Sequence, residues 1–186
     1  MDAMLVWVTG LSGTGKSSVA VRLRELGHRS VDADDDGISG WRSHATGEIV
    51  ASPPIGQRPA DWLDRFGWRI DVSRVEELRR DADGRPVFLF GAVDNEADIL
   101  SLADVVVCLV ADADTLRQRL ATRRTNEFGK APGDVEAVMS WVGVFEHRHK
   151  ALGAVMVDAM QPLPVVVAAE LAAASAASQR CRFVGS

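Results

Sequence analysis

MLVWVTGLSGTGKSS, residues Met4–Ser18, is the stretch whose reading decides the fold. Met4–Thr9 is short, mostly apolar and rich in β-formers, the length of one buried strand. Gly10-Leu11-Ser12-Gly13-Thr14-Gly15-Lys16-Ser17 then satisfies G-x-x-x-x-G-K-[ST] at every fixed position. From Ser18 to Leu26 the spacing turns helical, with Val19, Leu23 and Leu26 predicted on one face. Strand, glycine-rich turn and helix are the context in which such a loop cradles phosphate. The glycines let backbone N–H groups point inward, and the helix start adds a positive dipole end. In that reading Gly10, Ser12, Gly13, Thr14, Gly15 and Ser18 shape the cradle, Lys16 reaches the β- and γ-phosphates, and the Ser17 hydroxyl holds Mg²⁺. A glycine-rich turn that matches by accident is the alternative, and the flanking elements argue against it. The motif implies a bound nucleoside triphosphate.

A length of 186 residues and 20.0 kDa is the size of one domain, and a hydrophobic content of 47% fills a core and excludes intrinsic disorder. The net charge of −5 argues against a nucleic-acid surface. Cys108 lies in VVVCLV, where a buried free thiol is ordinary, and Cys181 in a tail expected to be loose. Neither suggests a disulfide framework, and both fit a reducing, cytoplasmic setting. The N-terminus enters a strand without a signal-peptide pattern, and no run approaches the ~20 apolar residues of a membrane span.

Beyond the first helix, Gly27 ends the turn and His28–Val31 leads to a second strand, which empties into Asp32-Ala33-Asp34-Asp35-Asp36-Gly37. Four carboxylates this close repel one another. A solvated acidic loop is one reading. Catalytic groups in parallel α/β sheets sit at the carboxyl ends of strands, which favours Asp32 as a Mg²⁺ ligand and Asp34 as proton acceptor. Asp35 and Asp36 read as solvated.

From Gly40 to Arg69, prolines and glycines break any long element. Trp41, Trp62, Phe66 and Trp68 interleave with Arg42, His44, Arg58, Arg65 and Arg69. Aromatics with arginines suit an anionic, partly flat substrate, and helical stretches covering the core explain the same aromatics. Residues 41–70 are therefore the candidate acceptor-binding insertion, with Arg42, Arg58 and Arg65 as substrate contacts.

Ser73-Arg74-Val75-Glu76 reads as a capping box opening a helix to about Arg80, followed by a turn at Asp81–Gly84. Pro86–Phe90 is a third strand, ending in Gly91, a candidate substrate contact, and Asp94, which could cap the next helix or orient Mg²⁺-bound water. Asp104–Val110 is the fourth strand. Asp112 or Asp114 caps a helix on which Arg119 and Arg123 align four residues apart, with Arg117 elsewhere. A solvated basic helix end is the plain reading of that pair; alignment with the following loop favours function. Residues 123–132 read as a short lid. Pro132 opens an amphipathic helix through Phe145, on which His147 and His149 make a poor metal pair. Ala154–Val157 is the fifth strand, followed by Asp158–Pro162 and an alanine-rich helix.

This arrangement resembles the small P-loop kinases, the group of shikimate kinase, gluconate kinase and the nucleoside monophosphate kinases. Three places carry the resemblance: GLSGTGKS at Gly10–Ser17, D-x-D at Asp32–Asp34, and L-x-x-R-L-x-x-R at Leu116–Arg123. It implies a five-stranded parallel sheet with helices on both faces and a short lid. It also implies ATP and Mg²⁺ as cofactors, Mg²⁺ at Ser17 and Asp32, and the acceptor hydroxyl at Asp34. Arg119 would stack on adenine, Arg123 would contact phosphates from the lid, and Gln161 would lie in the adenine-contacting loop. The chain departs from shikimate kinases in having only Gly91, in FGAVD, where they carry a paired-glycine motif, and the arginines of 42–69 match no nucleoside-monophosphate pattern. The implied function is a phosphotransferase acting on a small-molecule hydroxyl, with Lys16, Asp34 and Arg123 catalytic, as a monomer or homodimer. A nucleoside monophosphate kinase and an ATP-hydrolysing regulatory module are the alternatives.

Overall fold

A computed structural model describes residues 3–53, 57–122 and 134–184. Its centre is a five-stranded parallel sheet made of β1 (Leu5–Gly10), β2 (Arg29–Asp32), β5 (Val87–Phe90), β6 (Val105–Val110) and β7 (Val155–Asp158), in the order β2-β5-β1-β6-β7. The central strands β1, β5 and β6 are apolar because they are covered on both faces, whereas the edge strand β2 carries Arg29, Ser30 and Asp32. Alternation along β1 divides the core. Val6 and Val8 face α1 (Lys16–Glu25) and α8 (Leu163–Val184), while Leu5 and Trp7 face the side packed by α3 (Val72–Arg80) and α4 (Glu96–Leu102). Cys108, buried in β6 between β1 and β7, has its thiol pushed up to about 12, chiefly by burial.

Several expectations are corrected. Leu26 is not on the buried face of α1; it caps the helix and is half exposed, and Ala20 joins Val19 and Leu23 inside. Of the two explanations of the aromatics between Gly40 and Arg69, helical stretches account only for the single-turn α2 (Trp62–Arg65). It lies between the strands of an antiparallel hairpin, β3 (Ser39–Ser43) and β4 (Phe66–Ile70), in which Trp41 faces Trp68. The cap of α3 is Asp71, whose carboxylate accepts from the Ser73 amide at 3.1 Å, so the helix starts before the expected capping box. The Ser73 hydroxyl first, then the Arg42 charge and the backbone amides of Arg74 and Ser73, hold the Asp71 carboxyl below its usual range. The amphipathic stretch after residue 133 is two helices, α6 (Asp134–Trp141) and α7 (Val144–Ala151), parted at Gly143. The remaining helix, α5 (Ala113–Thr122), is capped by Asp112 through the Thr115 amide. Far from ending loosely, α8 runs through Cys181. Among the described residues no helix is long and apolar enough to cross a membrane.

His147 and His149 diverge as expected, His147 exposed and His149 fully buried. His149 meets Trp7 edge-on, and its Nε2 lies 3.4 Å from Glu96 Oε1. Arg148 pairs with the same carboxylate at 2.7 Å. α7 is thereby tied to the start of α4.

On α8, Glu170 is fully buried among apolar neighbours and neither carboxyl oxygen has a hydrogen-bond partner among the described residues. Burial pushes its pKa from 4.5 up to about 8. The folded protein thus keeps a proton that the unfolded chain releases near 4.5. The stability linked to that proton is complete below this pH and is lost as pH rises toward about 8. Glu170→Met should abolish this fall and stabilise the protein at pH 8 by on the order of 2–4 kcal/mol, with a smaller gain at pH 5. Denaturant unfolding of both proteins at the two pH values measures the difference.

Candidate active site

Because β1 is central, the loop that follows it emerges where the chain parts toward β2 and β5 on one side and β6 and β7 on the other. The loop lies tight against β6. A Cβ on Gly10, at φ +152°, would stand 2.7 Å from the Leu109 carbonyl oxygen and 2.9 Å from Thr14 Oγ1, so only glycine fits. Thr14 Oγ1 donates to the Leu11 carbonyl at 2.9 Å and closes the turn. The N-cap of α1 is Gly15, which has no side chain with which to cap the helix.

Above the loop opens a cleft of about 520 Å³. Of the loop residues assigned to the nucleotide, Gly13, Thr14, Gly15, Lys16, Ser17 and Ser18 line it, and Gly10 and Ser12 do not. Asp32 and Asp34 enter from the end of β2, Gly91 from the end of β5, Arg119 from α5 and Gln161 from the loop after β7. Val19, Thr122, Ala159, Leu163 and Val166 complete the wall; Ala159 belongs to the loop that the resemblance marks as adenine-contacting, while Thr122, Leu163 and Val166 carry no motif and their spacing also suits plain packing.

The acidic segment is tolerable because most of its carboxylates have donors. Asp32, nearly buried, accepts from the Asp34 amide at 3.2 Å. Asp36 takes the Arg24 guanidinium at 2.6 Å and the Asp32 amide at 2.8 Å. Asp34 Oδ1 receives Ser39 Oγ at 2.6 Å and the Trp68 indole nitrogen at 2.9 Å. Burial raises the pKa of Asp35, and the charges of Asp32, Asp34 and Asp36 add to it.

Lys16 Nζ donates to the Gly10 and Leu11 carbonyls at 2.6 and 3.2 Å, so the ammonium lies within the loop. The Arg119 guanidinium spans the cleft rim, donating to the carbonyls of Gly13 (3.3 Å), Thr14 (3.4 Å) and Ala159 (2.9 Å). It ties the phosphate loop to the loop after β7. Arg117, by contrast, pairs with Asp114 on the exposed side. Gln161 donates to Asp158 at 2.7 Å, which lowers the Asp158 pKa below the carboxylate norm.

Other expected residues lie elsewhere. Arg42, Arg58 and Arg65 are not brought to the cleft. Arg42 pairs with Asp71 at 2.9 Å, Arg58 stacks on Trp41 and donates to Ser52, and Arg65 faces Asp61 at 3.7 Å. Asp94 neither caps α4, whose N-cap is Asn95, nor lines the cleft; it pairs with His44 at 2.9 Å. A Cβ on Gly67 would collide with that pair. Asn95, missed in the sequence because its partner is 25 positions away, exchanges two hydrogen bonds with the Ile70 backbone and pins the hairpin to the sheet. Arg123 and the expected lid at 123–132 lie outside the described residues.

The donor set fits the groups the motif implies. Oxygen ligands from Ser17 and Asp32 suit Mg²⁺, which keeps several waters and shares phosphate oxygens rather than demanding a full protein cage. Among the described residues no group of three or more His, Cys, Asp or Glu could hold a metal ion.

The AAA domain family matches residues 6–139. No curated protein matches the chain by sequence. Among solved structures, a gluconokinase from Sinorhizobium meliloti 1021 superposes with a TM-score of 0.59 at 18% identity, covering 100% of this chain and 98% of its own. A sugar kinase from Janibacter sp. HTCC2649 gives 0.53 at 17% identity, covering 93% and 95%. Shikimate kinase from Acinetobacter baumannii, solved with shikimate, gives 0.54 at 14% identity, covering 98% and 93%. At these identities the likeness is one of fold.

Arg119→Ala should loosen the phosphate loop from the loop after β7. Affinity for a non-hydrolysable nucleotide, read by calorimetry, is expected to fall roughly tenfold or more.

Proposed function

Because the chain belongs to the AAA domain family and has the fold of the small P-loop kinases, we propose that it is an ATP- and Mg²⁺-dependent phosphotransferase acting on a small-molecule hydroxyl. The observation that carries this reading is the meeting, in one cleft, of Lys16 and Ser17 from the phosphate loop with Asp32 and Asp34 from the end of β2. The names of the similar structures, gluconokinase, sugar kinase and shikimate kinase, support a polyhydroxylated small molecule as acceptor.

Each residue has one task. The amides at the start of α1 bind phosphate oxygens. Lys16 exchanges the Gly10 and Leu11 carbonyls for β- and γ-phosphate oxygens, a short movement from its present place. Arg119 flanks the base, and Ser17 and Asp32 hold the cation. When bound, Mg²⁺ neutralises charge on the phosphoryl oxygens. Asp34 orients the acceptor hydroxyl and takes its proton. Gly91, whose amide and carbonyl are held by Val8 and the Trp7 indole, keeps the opposite wall close without a side chain. On sequence grounds Arg123 would contact the phosphates from the lid. Catalysis of this kind is positioning and charge neutralisation more than covalent chemistry.

A hydroxyl is favoured over a phosphate acceptor because Arg42, Arg58 and Arg65 are engaged away from the cleft. ADP formation from ATP and Mg²⁺, against sugars, sugar acids, nucleosides and nucleoside monophosphates, tests the reading. A sugar-type acceptor should accelerate turnover well above hydrolysis. Acceleration only by nucleoside monophosphates would replace the hydroxyl reading, and no acceleration would leave an ATP-binding module in its place. With the accepted substrate, Lys16→Ala should lower turnover by roughly 10³-fold or more. Asp34→Asn should lower transfer by roughly 10²-fold or more, leaving a measurable residual rate, while nucleotide affinity is kept, and full turnover in that variant would remove Asp34 from its role.

A further inference from the structure

We infer that Trp68, assisted by Ser39, is a positioning residue that orients the Asp34 carboxylate toward the acceptor; this rests on the role given to Asp34 above. The Trp68 indole N–H donates to Asp34 Oδ1 at 2.9 Å, and Ser39 Oγ lies 2.6 Å from the same oxygen. Oδ2 has no partner among the described residues, and Asp34 lines the cleft. The terminal torsion of a carboxylate is soft and roughly two-fold. Two donors on one oxygen remove that freedom and leave the other oxygen for an incoming hydroxyl.

The two donors differ in kind. Ser39 Oγ is also 2.9 Å from the Ala33 carbonyl, and its one proton can serve only one acceptor at a time. The indole N–H is a donor only, and Asp34 is the acceptor it has. Its ring is braced. Trp68 meets Trp41 edge-on at 5.8 Å, Trp41 meets Trp62 at 5.7 Å, and the Arg58 guanidinium lies 4.6 Å over the Trp41 ring. Both donors stand on the β3–β4 hairpin, while the backbone of Asp34 is fixed by the β2 end, its amide bonded to Asp32. The hairpin thus sets the aim of a carboxylate that belongs to the sheet.

The hydrogen bond is read first, without any acceptor. In the ¹⁵N-labelled full chain, the Trp68 indole proton, assigned by its loss in Trp68→Phe, should move upfield and exchange faster with water in Asp34→Ala. An unmoved resonance overturns the inference. Kinetics then use the acceptor accepted from the panel above. Trp68→Phe should lower kcat roughly tenfold, the worth of a hydrogen bond to a charged group, with KM for ATP and Tm near wild type. In the Asp34→Asn background it should add nothing. Ser39→Ala should act in the same direction by a smaller factor, and serves alone if Trp68→Phe does not fold. An unchanged kcat, or an equal loss in both backgrounds, reduces Trp68 to packing and overturns the proposal while Asp34 keeps its role. Full turnover in Asp34→Asn removes the underlying reading and this one together.

Discussion

The closeness of Gly10 to β6 is the constraint on which the rest of the structure depends. A side chain there would strike the Leu109 carbonyl, so the loop can leave β1 only along a path open to glycine. That path turns the chain into α1 with Lys16 at its first turn and sets the first amides of the helix at the mouth of the cleft. Because β1 lies between β5 and β6, the ends of β2 and β5 reach the same mouth from one side and the loop after β7 from the other. A central strand and one forbidden Cβ together decide where every other functional group can converge.

Electrostatics set a second condition. An acidic segment at the end of β2 would spread apart if its charges were left to themselves. Here Asp36 is neutralised by Arg24 from α1, Asp32 turns back onto the amide of Asp34, and Asp34 is held by the hairpin. The proton affinity of Asp35 rises, first through burial and then through the neighbouring charges. The segment is therefore not a set of equivalent ligands, although Asp34, Asp35 and Asp36 are all exposed. It is sorted, with Asp36 structural and Asp32 and Asp34 presented to the cleft.

What the sequence made legible follows from the range of the interactions involved. The central strands β1, β5 and β6 were readable because a strand covered on both faces must be an apolar run, the polar edge strand β2 from its place before the acidic turn, and the phosphate loop because its geometry is local. Asp32 and Asp34 were readable because position after a strand is also a sequence property. The hairpin was not. Ser39–Ser43 is only partly buried along its whole length, its partner begins more than twenty residues later, and the tryptophans at its centre suit a helix face equally well. Asp71 displaced the expected cap because its carboxylate could reach the Ser73 amide, a choice that spacing alone does not make. Arg42 and Arg65 read as substrate contacts because their acidic partners, Asp71 and Asp61, are not marked by any motif.

The same contrast explains why the phosphate loop is easier to read than the hairpin. The backbone geometry of such a loop is written in glycine spacing. The hairpin is anchored instead by contacts between distant residues. Asn95 clasps Ile70, and His44 reaches Asp94 over a glycine that leaves room for both. Substitutions that alter this hairpin would leave the phosphate loop intact while changing the side chains that hold Asp34. The loop and the hairpin can vary independently because they are held by physically separate parts of the chain.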